Sequence, residues 1–423
     1  MTMSVDRPAL RRCVAGSTEE FARDTWSRAP LLSRYDDFCA SGTALGSSAS
    51  RFGDLFSLEA VDELLSRRGL RTPFIRIAKG GSVVPERRYT RGGGTGALIG
   101  DQVADDQVLA LFADGHTIVL QGLHRLWPPL IDFAGALTSD LGHPVQINAY
   151  VTPSSSQGFS AHYDVHDVFV LQVAGEKRWR IHAPVVSDPR RDEPWTDHRA
   201  AVEGRAAEPP LIDAVLRPGD ALYLPRGYLH AAEAADGTTC HLTVGVHPVS
   251  RQAVLDAVVA IVADDPMLRS SLPLGVDLSD PQQIEHDVRA SVAAIADRLR
   301  TVSTADIAQR LAIRTVSQTR AAPVAPLAQA RALEHLDGDS IVVARPHLQH
   351  TVHEDGTDVV LTLPDRTVRL PAGAGKAVRA VLGGARLHVH ELPDLTADEA
   401  LVLCRRLVRE GAAVIEDAPG APQ

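Results

Sequence analysis

Residues 162–179 read His-Tyr-Asp-Val-His-Asp-Val-Phe-Val-Leu-Gln-Val-Ala-Gly-Glu-Lys-Arg-Trp. The run 167–173 within it has the length and composition of a strand, and its alternation sets one face toward a barrel interior and the other outward. Ala174-Gly-Glu176 is a turn, and a second strand, 178–182, leaves it. His162 and Asp164 stand immediately before the first of these strands. Further strand candidates lie on either side, at 146–151, 220–224 and 240–246, all rich in Val, Ile, Leu, Phe and Tyr. Pro218-Gly219 and Pro225-Arg-Gly227 separate them, and several short strands at this spacing predict a β-sandwich or barrel.

His230 follows the strand and tight turn at 220–227, a geometry able to return its side chain to the cavity that His162 and Asp164 face. Two histidines and one carboxylate on one wall form the facial triad of a non-haem Fe(II) site, which leaves three coordination positions open. The His-x-Asp spelling alone says little. His335-Leu-Asp337 and His353-Glu-Asp355 share it among 17 histidines, and both sit in Asp/Gly-rich sequence that reads as surface turn chemistry. The β-context and the distant His230 separate the first from these.

Lys177 adds a second signal, because the chain has only three lysines, Lys79, Lys177 and Lys376, and otherwise uses arginine for cations. A lysine here points to a need for a compact ammonium in place of a planar fork. Its natural partner is the distal carboxylate of a dicarboxylic cosubstrate. Asn148, the sole asparagine, and Tyr150 alternate by two on the preceding strand and share a face. They could offer an amide and a phenol to the same ligand, although each alone equally suits a half-buried surface residue.

The run HYDVHDVFVLQVAGEKRW, with INAY (147–150) before it and LYLPRGYLH (222–230) after it, resembles the JmjC-type ribosomal oxygenases, protein hydroxylases of the cupin superfamily that use Fe(II) and 2-oxoglutarate. The resemblance implies an α+β protein with a double-stranded β-helix (jelly-roll) core, a helical dimerisation domain and a C-terminal winged-helix-like domain. It implies His162, Asp164 and His230 as iron ligands, and Lys177, 15 residues after His162, as the partner of the 2-oxoglutarate 5-carboxylate. Asn148, 14 residues before His162, and Tyr150 match the polar pair lining the cosubstrate site. The activity implied is hydroxylation of a His or Arg side chain of a ribosomal protein by a homodimer. Val165-His166 departs from the family, which often has an acidic residue after the His-x-Asp. Two other readings stay open: a non-catalytic metal-binding cupin scaffold, and a JmjC hydroxylase or demethylase acting on another protein or peptide.

The rest of the chain agrees with three segments, 1–248, 249–320 and 331–423. Ahead of the core, a helix is expected at 17–28 and strands at 73–78 and 117–121. Arg91-Gly-Gly-Gly-Thr-Gly96 is a loop that fails the dinucleotide template, since Ile99 replaces the third glycine. After Pro248 helices are expected at 251–263, from Asp280-Pro281 onward, where Ile284, Val288, Val292, Ile295 and Leu299 recur at helical spacing, and at 304–317. A linker is expected at 320–326. Two strands, 359–363 and 367–370, and helices at 373–382 and 396–410 follow.

With 423 residues, two or three domains of ordinary globular composition are expected. A net charge of −10, and −4 from Arg331 onward, disfavours direct nucleic-acid contact. No apolar run approaches the ~20 residues of a membrane span, and the amino terminus, with Asp6, Arg11 and Arg12, does not read as a secretory signal, so a cytoplasmic protein is expected. Cys13, Cys39, Cys240 and Cys404 lie far apart, without the pairing a cysteine zinc site requires.

Overall fold

The computed structural model describes residues 6–42, 51–96, 98–154, 156 and 160–416. The chain divides into two compact units, Met1–Pro248 and Val249–Gln423.

In the first unit an antiparallel eight-stranded sheet runs in the order Leu31–Ser33, Ala221–Leu224, Asp167–Ala174, Thr239–Val246, Val145–Thr152, Thr117–Leu120, Ile75–Lys79 and Ser82–Val83. A three-stranded antiparallel sheet, Ile212–Leu216, Lys177–His182 and Leu229–Ala234, makes the opposing wall. Together they are the expected double-stranded β-helix core.

The central strand Asp167–Ala174 shows why this sequence closes a barrel. Phe169, Leu171 and Val173 point to the outer face and join the core formed with the N-terminal helices, including Phe21, Phe133 and Leu137. Val168 and Val170 point inward, against Trp179, Ile181, Leu216, Leu222 and Leu224. A strand buried on both faces needs a near-continuous apolar run, each fully buried side chain contributing roughly 1.5–3 kcal/mol. On Val145–Thr152 the inward positions are instead polar. Ile147, Ala149 and Val151 belong to the outer core, while Asn148, Tyr150 and Thr152 occupy the other face. Polar residues facing a barrel interior mark a lined cavity and not a filled one.

The expected helix at 17–28 is a correction. Only Thr18–Glu20 is α-helical, capped by Ser17, and Phe21–Thr25 continues as a π-turn. Tertiary packing overrides the local pattern here. Trp26 stacks on Tyr223 at 5.7 Å and on His143 at 5.5 Å, and the Ser27 amide, at φ 55°, donates to the Tyr223 hydroxyl.

The second unit holds helices Arg251–Val262, Pro281–Thr301 and Thr304–Gln318, close to their expected bounds. Asp280 caps the middle one through its bond from the Gln282 amide, 2.9 Å. The expected linker is packed: Ala321 and Ala322 are buried, the Ala322 amide bonds Pro346 O, and Pro326 opens a helix, Pro326–Glu334. Beyond it lie the three-stranded sheets Leu387–His388, Ile341–Ala344, Ala413–Ile415 and Thr351–Asp355, Asp358–Thr362, Thr367–Pro371, with helices Gly375–Leu382 and Ala397–Arg409. Their shared core includes Leu361, Val378, Leu403 and Leu407.

Candidate metal and cosubstrate site

The loop carrying His162 and Asp164 is held as a short extension of the sheet. His162 and His230 form an antiparallel bridge, the His230 amide donating to His162 O at 2.8 Å and the His162 amide to His230 O at 3.2 Å. Because side chains alternate along extended chain, Tyr163 faces away from the cavity, buried with Val202 and Leu229, its hydroxyl bonded to Glu193 O at 3.0 Å. The turn leading to His230 is fixed at Gly227, whose amide donates to Asp164 O at 3.0 Å. Gly227 has φ +86°, and a Cβ there would lie 2.5 Å from Val186 O, so no other residue fits.

Asp167 ties this turn to the N-terminal segment. Fully buried, it accepts from the Tyr223 hydroxyl at 2.7 Å, Ser27 Oγ at 3.2 Å and the Arg226 amide at 3.1 Å.

One donor atom from each of His162, Asp164 and His230 lies within 4.8 Å of the others, the one such group of three or more His, Cys, Asp or Glu among the described residues. His230 Nε2 is 3.8 Å from Asp164 Oδ2. Each imidazole Nδ1 meets a backbone carbonyl, Ser160 O at 2.7 Å for His162 and Tyr228 O at 3.2 Å for His230. A carbonyl only accepts, so both Nδ1 atoms carry the proton and both Nε2 atoms carry the lone pair. Burial pushes the His230 pKa down to about 4, helped by neighbouring His162. Burial acts to raise the Asp164 carboxyl, but His166, His230 and His162 outweigh it and hold it below its ordinary value. Near neutral pH His230 is therefore a neutral imidazole and Asp164 a carboxylate, the protonation states metal ligation needs of them. The donors suit a divalent metal of intermediate softness such as Fe(II).

The three side chains open into a cavity of about 600 Å³ with the open solvent at its mouth included, whose walls include Lys177, Tyr150, Trp179, His241 and Leu224. Lys177 is only 4% exposed. Its ammonium donates to Thr152 Oγ1 at 3.1 Å, and Thr152 in turn receives the Thr117 hydroxyl at 3.3 Å. Among the described residues no carboxylate stands within 4.0 Å of it, and burial pushes its pKa down to about 8. A buried ammonium with one neutral hydrogen bond is costly and creates a strong demand for an anion in the cavity. Tyr150 lines the same space, stacked on His241 at 5.1 Å, its pKa raised to about 12 by burial.

Asn148 shares the face of Tyr150, but its side-chain oxygen accepts from the Gly122 amide at 3.0 Å, and it is not among the lining residues. His335 and His353 belong to the second unit and are not among the residues lining this cavity. His335 follows helix Pro326–Glu334, with Asp337 capping its own turn through Ser340, whereas His353-Glu-Asp355 is strand and not the expected turn. Replacing either histidine with alanine should leave metal stoichiometry and affinity unchanged, as measured by Co(II) titration.

Sequence reasoning missed Thr152, Trp179 and His241. His241 was detectable, because Thr239, His241 and Thr243 alternate with Cys240, Leu242 and Val244 of the outer core. Pairing that strand with Val145–Thr152 sets His241 directly across from Tyr150.

Residues 132–254 match the JmjC domain family. Ribosomal oxygenase 2 of Rattus norvegicus is 28% identical over 291 residues, covering 66% of this chain and 58% of that protein. The chain thus spans little more than half the length of that curated relative. The bifunctional lysine-specific demethylase and histidyl-hydroxylase NO66 of Drosophila persimilis is 37% identical over 139 residues, 31% of this chain and 19% of that one. Among solved structures, the Escherichia coli ribosomal oxygenase YcfD in complex with cobalt and 2-oxoglutarate superposes with a TM-score of 0.52 at 15% identity, covering 96% of this chain and 99% of that chain. At that identity the likeness establishes a shared fold.

Proposed function

We propose that this chain, a JmjC-domain protein, is an Fe(II)- and 2-oxoglutarate-dependent oxygenase that hydroxylates a protein side chain, a histidine or arginine of a ribosomal protein. One observation carries the reading: a His162, Asp164, His230 donor set and a buried, carboxylate-free Lys177 ammonium share one cavity. The names of the relatives, ribosomal oxygenase and histidyl-hydroxylase, support a protein substrate, and the cobalt and 2-oxoglutarate complex of YcfD supports the cosubstrate.

Bound iron would couple decarboxylation of 2-oxoglutarate by dioxygen, giving succinate and carbon dioxide, to insertion of the second oxygen atom into a substrate C–H bond. The protein's residues do the rest. His162, Asp164 and His230 would hold the metal. Lys177, steadied by Thr152, pairs with the 5-carboxylate and so fixes which way the cosubstrate lies. Tyr150 on His241 forms one wall, and Asn148 orders the Gly122 turn beside it. Val168, Val170, Trp179 and Leu224 keep the cavity dry, which strengthens the Lys177 ion pair. Incubating the purified chain with Fe(II), 2-oxoglutarate and ribosomal proteins, and scanning those proteins by mass spectrometry for the gain of one oxygen, tests the substrate. Succinate without any modified ribosomal protein would move the target elsewhere, and no succinate at all would favour a non-catalytic scaffold.

In the same reading residues 249–320 are a dimerisation domain, 331–423 a winged-helix-like domain without direct nucleic-acid contact, and the protein works in the cytoplasm as a homodimer. Among the described residues no helix is long and apolar enough to cross a membrane. Helix Pro281–Thr301 has no buried residue, yet Val288, Val292, Ile295 and Leu299 form an apolar stripe 37–58% exposed. A twofold copy of the same helix would cover such a stripe. Light scattering at micromolar concentration should give twice the chain mass, and Val288→Glu with Val292→Glu should halve it. A monomeric wild type contradicts the dimer.

A further inference from the structure

Two residues beyond Asp164 lies His166, a histidine that the proposed chemistry has not used. Its side chain is 15% exposed, and its Nδ1 is buried without a hydrogen-bond partner among the described residues, 4.0 Å from Asp164 Oδ2. Its other nitrogen, Nε2, lies 3.1 Å from the Gln146 side-chain amide nitrogen. An amide NH2 only donates, so His166 Nε2 is the acceptor and the proton resides on Nδ1, pointing at the carboxylate. Turning the amide over would place a lone pair on Nδ1 against the anion, the repulsive alternative.

The surrounding strand is shaped for this ring. Gly245 pairs with Gln146, and a Cβ at Gly245 would lie 2.7 Å from His166 Nε2 and 2.8 Å from its Cδ2. Any larger residue there would evict the imidazole. His247, two positions on, presents its ring at 5.2 Å from the other side. Backbone, amide and ring together hold His166 beside the carboxylate it faces.

We infer that His166 is a positioning residue for the metal ligand Asp164: its Nδ1–H closes onto Oδ2, the carboxylate oxygen that also stands 3.8 Å from His230 Nε2, and so fixes how the carboxylate is turned toward the metal, with Gln146 setting the tautomer and Gly245 providing the space. The inference rests on the proposed metal-binding role of His162, Asp164 and His230. Hydrogen bonds from the shell around a metal orient its ligands, and losing one lowers metal affinity roughly 10- to 100-fold.

The test is Co(II) titration of the full chain, followed by visible absorption, which reports coordination independently of turnover. His166→Val, which removes both nitrogens, should raise the Co(II) dissociation constant about 10-fold or more. His166→Asn, whose amide nitrogen can stand where Nδ1 stands, should restore most of the affinity and the wild-type spectrum. Gln146→Leu should weaken binding in the same direction by a smaller factor. Wild-type affinity in His166→Val, or equal loss in the Val and Asn variants, overturns the positioning role. Should His166→Val lose its cooperative thermal unfolding, the Asn and Leu variants decide: wild-type affinity in Gln146→Leu then overturns it. Failure of the underlying reading looks different, since wild-type protein would then bind no Co(II), or His162→Ala would bind it unchanged.

Discussion

Lys177→Ala should raise the 2-oxoglutarate concentration needed for half-maximal turnover by ~30-fold to several thousand-fold, while Fe(II) or Co(II) affinity stays near that of the wild type. The ammonium is buried, touches one hydroxyl and meets no carboxylate of the described chain, and in the proposed function the ligand's own carboxylate is its partner. Removing one member of a buried charge pair typically costs 2–5 kcal/mol, chiefly because the other charge is left unpaired. Lys177→Arg should recover part of the loss, since a planar fork does not occupy the space of an ammonium. The pH dependence follows with a definite sign. Burial lowers the pKa of the ligand-free Lys177 to about 8, so the ammonium form that binds the anion is the main form below that pH and is lost above it. The apparent 2-oxoglutarate affinity should therefore be flat below about pH 8 and weaken roughly tenfold per unit at higher pH. Wild-type cosubstrate affinity in Lys177→Ala would make Lys177 a structural lysine and leave the reading on the metal set alone.

His162→Ala and Asp164→Ala should each abolish the one-to-one binding of Co(II), with His230→Ala close behind. Two remaining donors do not make a site, and no other group of three or more stands among the described residues to replace them. The fold should survive, because the bridge between residues 162 and 230 and the Gly227 contact to Asp164 O use backbone atoms, and the carboxylate that accepts from the turn is that of Asp167. Circular dichroism and a thermal melt separate loss of metal from loss of structure. Stoichiometric Co(II) binding in His162→Ala would remove this residue from the site.

Most of the barrel was legible because its central strands are buried on both faces, which forces runs such as 168–173 that resemble little else. The triad was legible because two of its members are two residues apart and the third follows a marked turn. Lys177 stood out through scarcity. What stayed hidden did so for physical reasons. The π-turn at Phe21–Thr25 follows from Trp26 packing on residues more than a hundred positions away, which local spacing does not carry. Strand Thr351–Asp355 is half-exposed and ends in Glu354 and Asp355, so it reads as a turn. Ile341–Ala344 is only four residues long. Trp179 and His241 looked like ordinary strand residues, since their importance depends on which strands pair, and His166 stood out only as part of the departure after the His-x-Asp. Asn148 shows the reverse: its rarity and offset drew attention, yet its side-chain oxygen is engaged with the Gly122 amide.

The central claim, that the His162, Asp164, His230 set and Lys177 form one oxygenase site, is tested most directly by following 2-oxoglutarate in the purified chain. With Fe(II) and dioxygen present, the account predicts conversion to succinate that is absent in His162→Ala and restored in Lys177→Ala only by a large excess of 2-oxoglutarate. Metal-loaded wild-type protein that forms no succinate, or His162→Ala forming it at the wild-type rate, would contradict it.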